Sequence, residues 1–218
     1  MENLPKTDYT RPDFRSMALI TIDVQNDFLD GQPCEIPGTC DALPQMRELV
    51  EAFRRARLPV IHMVRLYKSD GSNADLCRRS AVEQGASIVR PGTSGAQLAT
   101  PLLPAPGMQL DPELLLSGAA QLLAQKEWAI YKSRWGAFYA TTLEQHLRNL
   151  GVTTLAFAGC NFPNCPRTSI YEASERDFCI VLAEDAISGL YDRGRDEMKN
   201  IGVLLMTSKQ LALAIKNS

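Results

Sequence analysis

Short apolar runs rich in β-branched residues alternate along the chain with stretches whose apolar positions recur every three or four residues. The run at residues 18–24, ALITIDV, closes on a carboxylate and reads as a buried parallel strand with Asp23 at its C-terminal end. From Asp41 to Arg57 the apolar positions Leu43, Met46, Val50 and Phe53 keep helical spacing, opened by an Asp41 cap and closed before Pro59. PVIHMV (59–64) makes a second strand, so the unit is β-α-β and its crossover is expected to be right-handed. Residues 66–107 lose this regularity. The clusters KSDGSN and PGTSGAQ, with prolines at 91, 101, 104 and 106, predict long loops with short helices. Order returns with WAIY (128–131) as a strand, Tyr139 to Leu150 as a helix ended by Gly151, and TTLAFAG (153–159) as another buried strand. A helix from Pro166 to Arg176, a strand over FCIVLAEDA (178–186), a helix at 192–201, the short strand VLLM and a helix at 208–216 complete the chain. Strands alternating with helices predict an α/β fold, a mostly parallel sheet covered on both faces. Residues 1–16 read as an N-terminal extension and 17–218 as a single domain, a length that suffices for one large core.

Composition narrows the function. Hydrophobic residues make up 45% of the chain and charged residues 22%, the balance of a globular protein. A net charge of −2 leaves no basic excess for phosphate backbones or anionic lipid, so neither nucleic acid nor membrane is expected as a partner. The cluster Arg54, Arg55 and Arg57 lies in the helical pattern and reads as a solvated face. The polar N-terminus has no signal-peptide core, and no apolar run approaches the roughly 20 residues that span a bilayer, so a cytoplasmic location is expected. Six cysteines in such a chain are expected to be free thiols. With only His62 and His146 beside them there is no zinc-cage spacing, so neither metal nor cofactor is expected.

In open parallel sheets ligands bind beyond the carboxyl ends of the strands, and three reactive side chains fall at such ends. Asp23 follows the first strand, Lys132 follows WAIY, and Cys165 lies in GCNFPNC just after TTLAFAG. Pro166 is a favoured first helical residue, which makes Cys165 the cap of the next helix and predicts a thiol pKa lowered by the positive helix end. A thiol needs a proton acceptor and a cationic neighbour to become an effective nucleophile, roles open to Asp23 and Lys132. Taken singly, each residue has an ordinary structural role: a packed cysteine, an aspartate cap, a solvated lysine. No G-x-S-x-G elbow, G-x-G-x-x-G or Walker A loop competes, and His62 in a strand and His146 in a helix read as packing histidines.

These residues also carry a resemblance. ALITIDVQNDFLDG (18–31) resembles the opening strand and Asp-x-Gln-x-Asp-Phe signature of the isochorismatase-like cysteine-hydrolase superfamily, here Asp23, Gln25, Asp27 and Phe28. YKSRWGAFYATTLEQHLRNLGVTTLAFAG (131–159) is similar to its lysine segment, with Lys132 in the catalytic position, and GCNFPNCPRTSIYEASERDF (159–178) resembles its nucleophile loop and helix. The similarity runs from about residue 17 to 206. The resemblance implies a three-layer α-β-α sandwich on a six-stranded parallel sheet, a catalytic Asp23–Lys132–Cys165 triad, and a homodimer or homotetramer. It further implies a cis peptide between Cys160 and Asn161, with the amides of Asn161 and Cys165 as oxyanion hole. Gln25, Phe28, Trp135, Phe138, Phe162 and Arg167 are the candidate contacts to a small-molecule substrate. Members with this triad hydrolyse small amides, whereas members lacking the cysteine cleave the vinyl ether of isochorismate. Nicotinamidases carry an Asp-x-His…His metal set after the second strand. RLYKSDGSNADL stands there in this chain, so neither zinc nor nicotinamide is favoured. The expected function is hydrolysis of a small carboxamide or related C–N substrate through a Cys165 thioester. The alternatives are ester or vinyl-ether hydrolysis, and a non-catalytic thiol-sensing or oligomeric binding protein on the same fold.

Overall fold

The computed structural model describes residues 8–32 and 34–218. Seven strands form one sheet: β1 (Met17–Ile22), β2 (Val60–Val64), β3 (Gln121–Ala124), β4 (Glu127–Tyr131), β5 (Thr154–Gly159), β6 (Cys179–Ile187) and β7 (Leu204–Met206), in the order β3-β4-β2-β1-β5-β6-β7. All neighbours pair in parallel except β3, which joins β4 antiparallel at the edge. The six expected parallel strands are therefore present, and the seventh is a correction. QLLA is short, lies half-exposed on one edge, and turns into β4 through Lys126 at φ 60, with no glycine or asparagine to signal a hairpin.

Seven helices cover the sheet: α1 (Thr39–Ala56), α2 (Leu76–Glu83), α3 (Pro112–Leu116), α4 (Leu143–Asn149), α5 (Cys165–Ser174), α6 (Asp192–Asn200) and α7 (Ser208–Lys216). α1 and α7 bury Met46, Leu49, Phe53, Leu211 and Ile215 on one face, against Met17 and Leu19 of β1. α4, α5 and α6 bury Leu143, Leu147, Ile170, Ala173 and Met198 on the other, against Ala18, Ile20 and Ile22. Because β1 is buried on both faces, all six of its residues are apolar or small, and each fully buried Leu or Ile contributes roughly 1.5–3 kcal/mol. α1 starts before Asp41, with Gly38 at its cap, and α4 is shorter than its pattern because Ala140 takes φ 50 and interrupts it. No helix among the described residues is long and apolar enough to cross a membrane.

One polar network crosses the core. His62 Nδ1 lies 2.7 Å from Thr21 Oγ1 and Nε2 2.9 Å from Glu127 Oε1, while Arg54 donates to both Glu127 oxygens at 2.7 and 2.6 Å. Arg54 is thus a structural ion-pair partner rather than part of a solvated face, because Glu127 sits in the strand beneath it; Arg55 and Arg57 remain exposed. Burial pushes the Glu127 carboxyl up, but the bonds from Arg54 and His62 outweigh it and hold the pKa down at about 2. Its pKa is lower folded than unfolded, so the stability it confers is complete above the unfolded value of about 4.3 and fades as pH falls towards about 2. That contribution is about 3 kcal/mol. In urea titrations at pH 7 and near pH 2, the stability gap between the wild type and Glu127→Gln should narrow by that amount; a gap that holds constant contradicts the network.

Candidate active site

The chemistry collects where β1, β2, β4 and β5 end. β1 stops at Ile22 because Asp23 turns into the left-handed region, φ 53, while its amide still bonds Met63 O at 2.9 Å. This bend aims the carboxylate along the sheet's carboxyl edge. Lys132 continues β4 by one residue, its amide bonded to Val64 O at 2.9 Å, and its wholly buried side chain brings Nζ to 2.8 Å from Asp23 Oδ2. Asp23 Oδ1, also buried, has no hydrogen-bond partner among the described residues.

Gly159 ends β5 with φ 121, and a Cβ there would lie 2.3 Å from Ile22 O, so only glycine lets the two strand ends meet. The next peptide, Cys160–Asn161, is cis. Phe162 then anchors the loop: its amide bonds Ser188 O at 2.8 Å, and its buried ring fills the space over Gly194 and stacks edge-on with Tyr191. Cys165 follows as the first residue of α5, with Asn164 at the cap position. Ala137 and Phe138, downstream of Lys132, are tied to α5 through Ser169 Oγ and Glu172 Oε2, so the lysine and cysteine segments are held as one unit. The amides of Asn161 and Cys165 donate to no acceptor among the described residues and border the Cys165 side chain.

Asp23, Asn161 and Cys165 share the wall of one small cavity of about 30 Å³, room for roughly two waters. A much larger groove of about 910 Å³ between α1 and α7 is lined by no cysteine, histidine, aspartate or glutamate, so chemistry rather than size locates the site. Burial and the Asp23 charge push the Cys165 thiol up, against the pull of Lys132 and Arg65. The expected lowering at a helix end is therefore corrected: desolvation inside the cavity outweighs the helix field, and the resting sulfur is protonated. Cys160, the other thiol on the wall, is buried and donates to Asp23 O at 3.0 Å. All six cysteines are free, and no group of three or more metal-ligating side chains occurs among the described residues.

Of the six expected substrate contacts, Phe28 and Trp135 line the cavity. The other four are placed elsewhere. Gln25 is spent on the backbone of Arg65 and Ala96, with Nε2 to their carbonyls at 2.9 and 2.6 Å and Oε1 accepting from Arg65 N at 2.7 Å. Phe138 packs on Phe178 under Arg176, and Phe162 fills the slot described above. Arg167 pairs with Glu197 at 2.7 Å and bonds Tyr191 Oη at 2.6 Å on the outer side of α5. Asp27 is a clamp as well, accepting from Val89 N at 2.6 Å and leaving no room for a side chain at Gly95.

Arg65 joins the site without being among the residues expected there. It follows β2 directly, and its buried guanidinium places Nη2 3.3 Å from Cys165 Sγ and 3.0 Å from Arg134 O, Nη1 on Tyr67 Oη and Asp75, and Nε 3.9 Å from Asp23 Oδ2. A charged residue just past a wholly buried strand, at the same sheet edge as Asp23 and Lys132, is the signal that could have found it. Ile36, Asp75, Arg78 and Asn164 complete the wall.

Residues 17–210 match the family model for the isochorismatase domain. A probable inactive nicotinamidase of Arabidopsis thaliana is 30% identical over 198 residues, covering 87% of this chain and 91% of its own. The ureidoacrylate amidohydrolase RutB of Methylobacterium radiotolerans is 27% identical over 186 residues, 76% of this chain and 65% of the relative. Among solved structures, an isochorismatase family protein from Desulfovibrio vulgaris superposes with a TM-score of 0.78 at 29% identity, over 93% of this chain and 99% of that one. The match across nearly the whole sheet, from β1 into α7, means that the chain belongs to the isochorismatase family of hydrolases.

Proposed function

We propose that this protein is a cysteine amidase that hydrolyses a small carboxamide through a thioester at Cys165. The observation that carries the reading is the division of labour on Asp23: Oδ2 is held by Lys132 at 2.8 Å, while Oδ1 is unpartnered on the cavity wall it shares with Cys165. A protonated thiol beside a carboxylate fixed by a buried ammonium suits proton transfer during attack better than a standing thiolate. Asp23 takes the thiol proton as sulfur bonds to the carbonyl carbon. The Asn161 and Cys165 amides hold the tetrahedral oxyanion, and Arg65 steadies charge on sulfur. Collapse breaks the C–N bond, with the proton passing from Asp23 to the departing nitrogen. Water, deprotonated by Asp23, then cleaves the thioester, and the sulfur recovers its proton. Kinship to a relative named as an amidohydrolase supports C–N chemistry.

The test is ammonia release across a panel of small amides, with esters and vinyl ethers as controls, for the wild type and Asp23→Asn. The reading expects ammonia and a fall of at least about 10²-fold in the variant. Acid formed only from esters or vinyl ethers would replace it with the alternative chemistry, and no turnover of any class would leave a non-catalytic fold. Iodoacetamide modification of Cys165 should rise at a pH above the ordinary thiol value of about 8.5, since burial and Asp23 raise that thiol.

A further inference from the structure

One cation on the cavity wall has no acid partner among the described residues. Asp23 is matched by Lys132 at 2.8 Å, and Asp75 by Arg65, so both acids on the wall are already paired. Arg78 remains. It stands in the first turn of α2, half-buried on the cavity wall, with no acid within 4 Å and no hydrogen bond from its guanidinium among the described residues. Its neighbour Arg79, by contrast, reaches Ala74 O. One guanidinium on the cavity wall is therefore left without an acid partner among the described residues, half-buried, where charge interactions are stronger than in open water.

We propose that Arg78 is a specificity-determining residue that receives a carboxylate on the substrate, so that the enzyme acts on small amides that also carry an acid group. This rests on the amidase reading for the reaction, and on the Arg78 geometry alone for the charge. A single guanidinium fork matches a carboxylate in two parallel hydrogen bonds. A phosphate would call for more free cations than the wall offers. Phe28, Ile36 and Trp135 supply the apolar walls that would sandwich the short carbon skeleton between the two polar ends.

Iodoacetate and iodoacetamide separate this charge effect from turnover, because they differ only in carboxylate against amide. Each is attacked by the Cys165 sulfur, which forms an S–C bond, expels iodide and loses its proton to the medium. Rates at Cys165 are read by peptide mass spectrometry and expressed as the iodoacetate-to-iodoacetamide ratio relative to N-acetylcysteine. The ratio should favour iodoacetate in the wild type, fall about tenfold or more in Arg78→Ala and Arg78→Gln, and be largely restored in Arg78→Lys. An unchanged ratio in folded Arg78→Ala, checked by its melting temperature, overturns the proposal. If neither reagent labels Cys165, the amidase reading falls, and calorimetric titration with succinate and succinamide decides the charge site by itself. Succinate should bind the wild type more tightly than succinamide and lose about tenfold or more in Arg78→Ala; equal affinities, or no succinate binding, reject it.

Discussion

Serine at position 165 should leave a folded protein whose amide turnover is lower by about 10³-fold or more. The substitution keeps the size and position of the side chain at the head of α5 and preserves a donor towards Asp23, so the cavity wall stays in place. What changes is the reacting atom. A hydroxyl of much higher pKa must be deprotonated by the same carboxylate, and no histidine is placed to help. His62 is locked between Thr21 and Glu127 inside the sheet, and His146 packs on Trp128. Ammonia release under saturating amide, alongside a thermal melt, measures both halves of the expectation. A serine variant within tenfold of the wild type would remove the sulfur from the chemistry.

The second large effect belongs to Lys132→Met. Methionine fills most of the lysine's volume but removes the ammonium, leaving the Asp23 carboxylate buried with Arg65 Nε at 3.9 Å as its nearest remaining cation. Removing one partner of a buried pair costs about 3–5 kcal/mol, which for a chain of this size lowers the melting temperature by roughly 10 °C. Amide turnover should fall by at least about 10²-fold, since Asp23 loses the group that holds it in place. The double variant Asp23→Asn with Lys132→Met should regain much of the lost stability and none of the activity, because no unpaired charge is then buried. A single variant destabilised by less than about 1 kcal/mol would show that the contact is not the buried ion pair described above.

The parts of this site that the sequence makes legible are those governed by local pattern. β1 and β5 are buried on both faces and therefore read as continuous apolar runs, and the sheet rule places Asp23, Lys132 and Cys165 at one edge. The cis bond and the oxyanion amides follow from the resemblance rather than from any property of Cys160 or Asn161 taken alone. What stays hidden depends on partners distant along the chain. Phe138 and Phe162 read as pocket aromatics beside catalytic motifs, but Phe178 and Gly194 supply the slots that take them into the core. Gln25 and Asp27 read as parts of a signature, yet their work is to pin the irregular 66–107 segment to the end of β1, which needs the backbone of Arg65, Val89 and Ala96. The Cys165 thiol is raised by burial among residues from well-separated parts of the chain and by the Asp23 charge, which no helix-cap argument could anticipate.

α2 illustrates the same limit. Its sequence, LCRRSAVE, is too polar for an amphipathic signal and lies in a stretch dominated by turn residues. Once folded, it delivers Arg78 to the cavity, while Asp75 at its cap position holds the Arg65 guanidinium. The irregular segment therefore brings Asp75 and Arg78 to the cavity, and the sheet edge holds Asp23 and Lys132 beside Cys165.

A covalent bond at one sulfur is the central claim, and intact mass spectrometry of the wild type mixed with pooled small amides, including carboxylate-bearing ones, reads that bond directly. One acyl group per chain is expected, mapped to Cys165, released by hydroxylamine and absent from Cys165→Ala. Ammonia release that continues in Cys165→Ala, or an acyl mass that maps to any other residue, would contradict it.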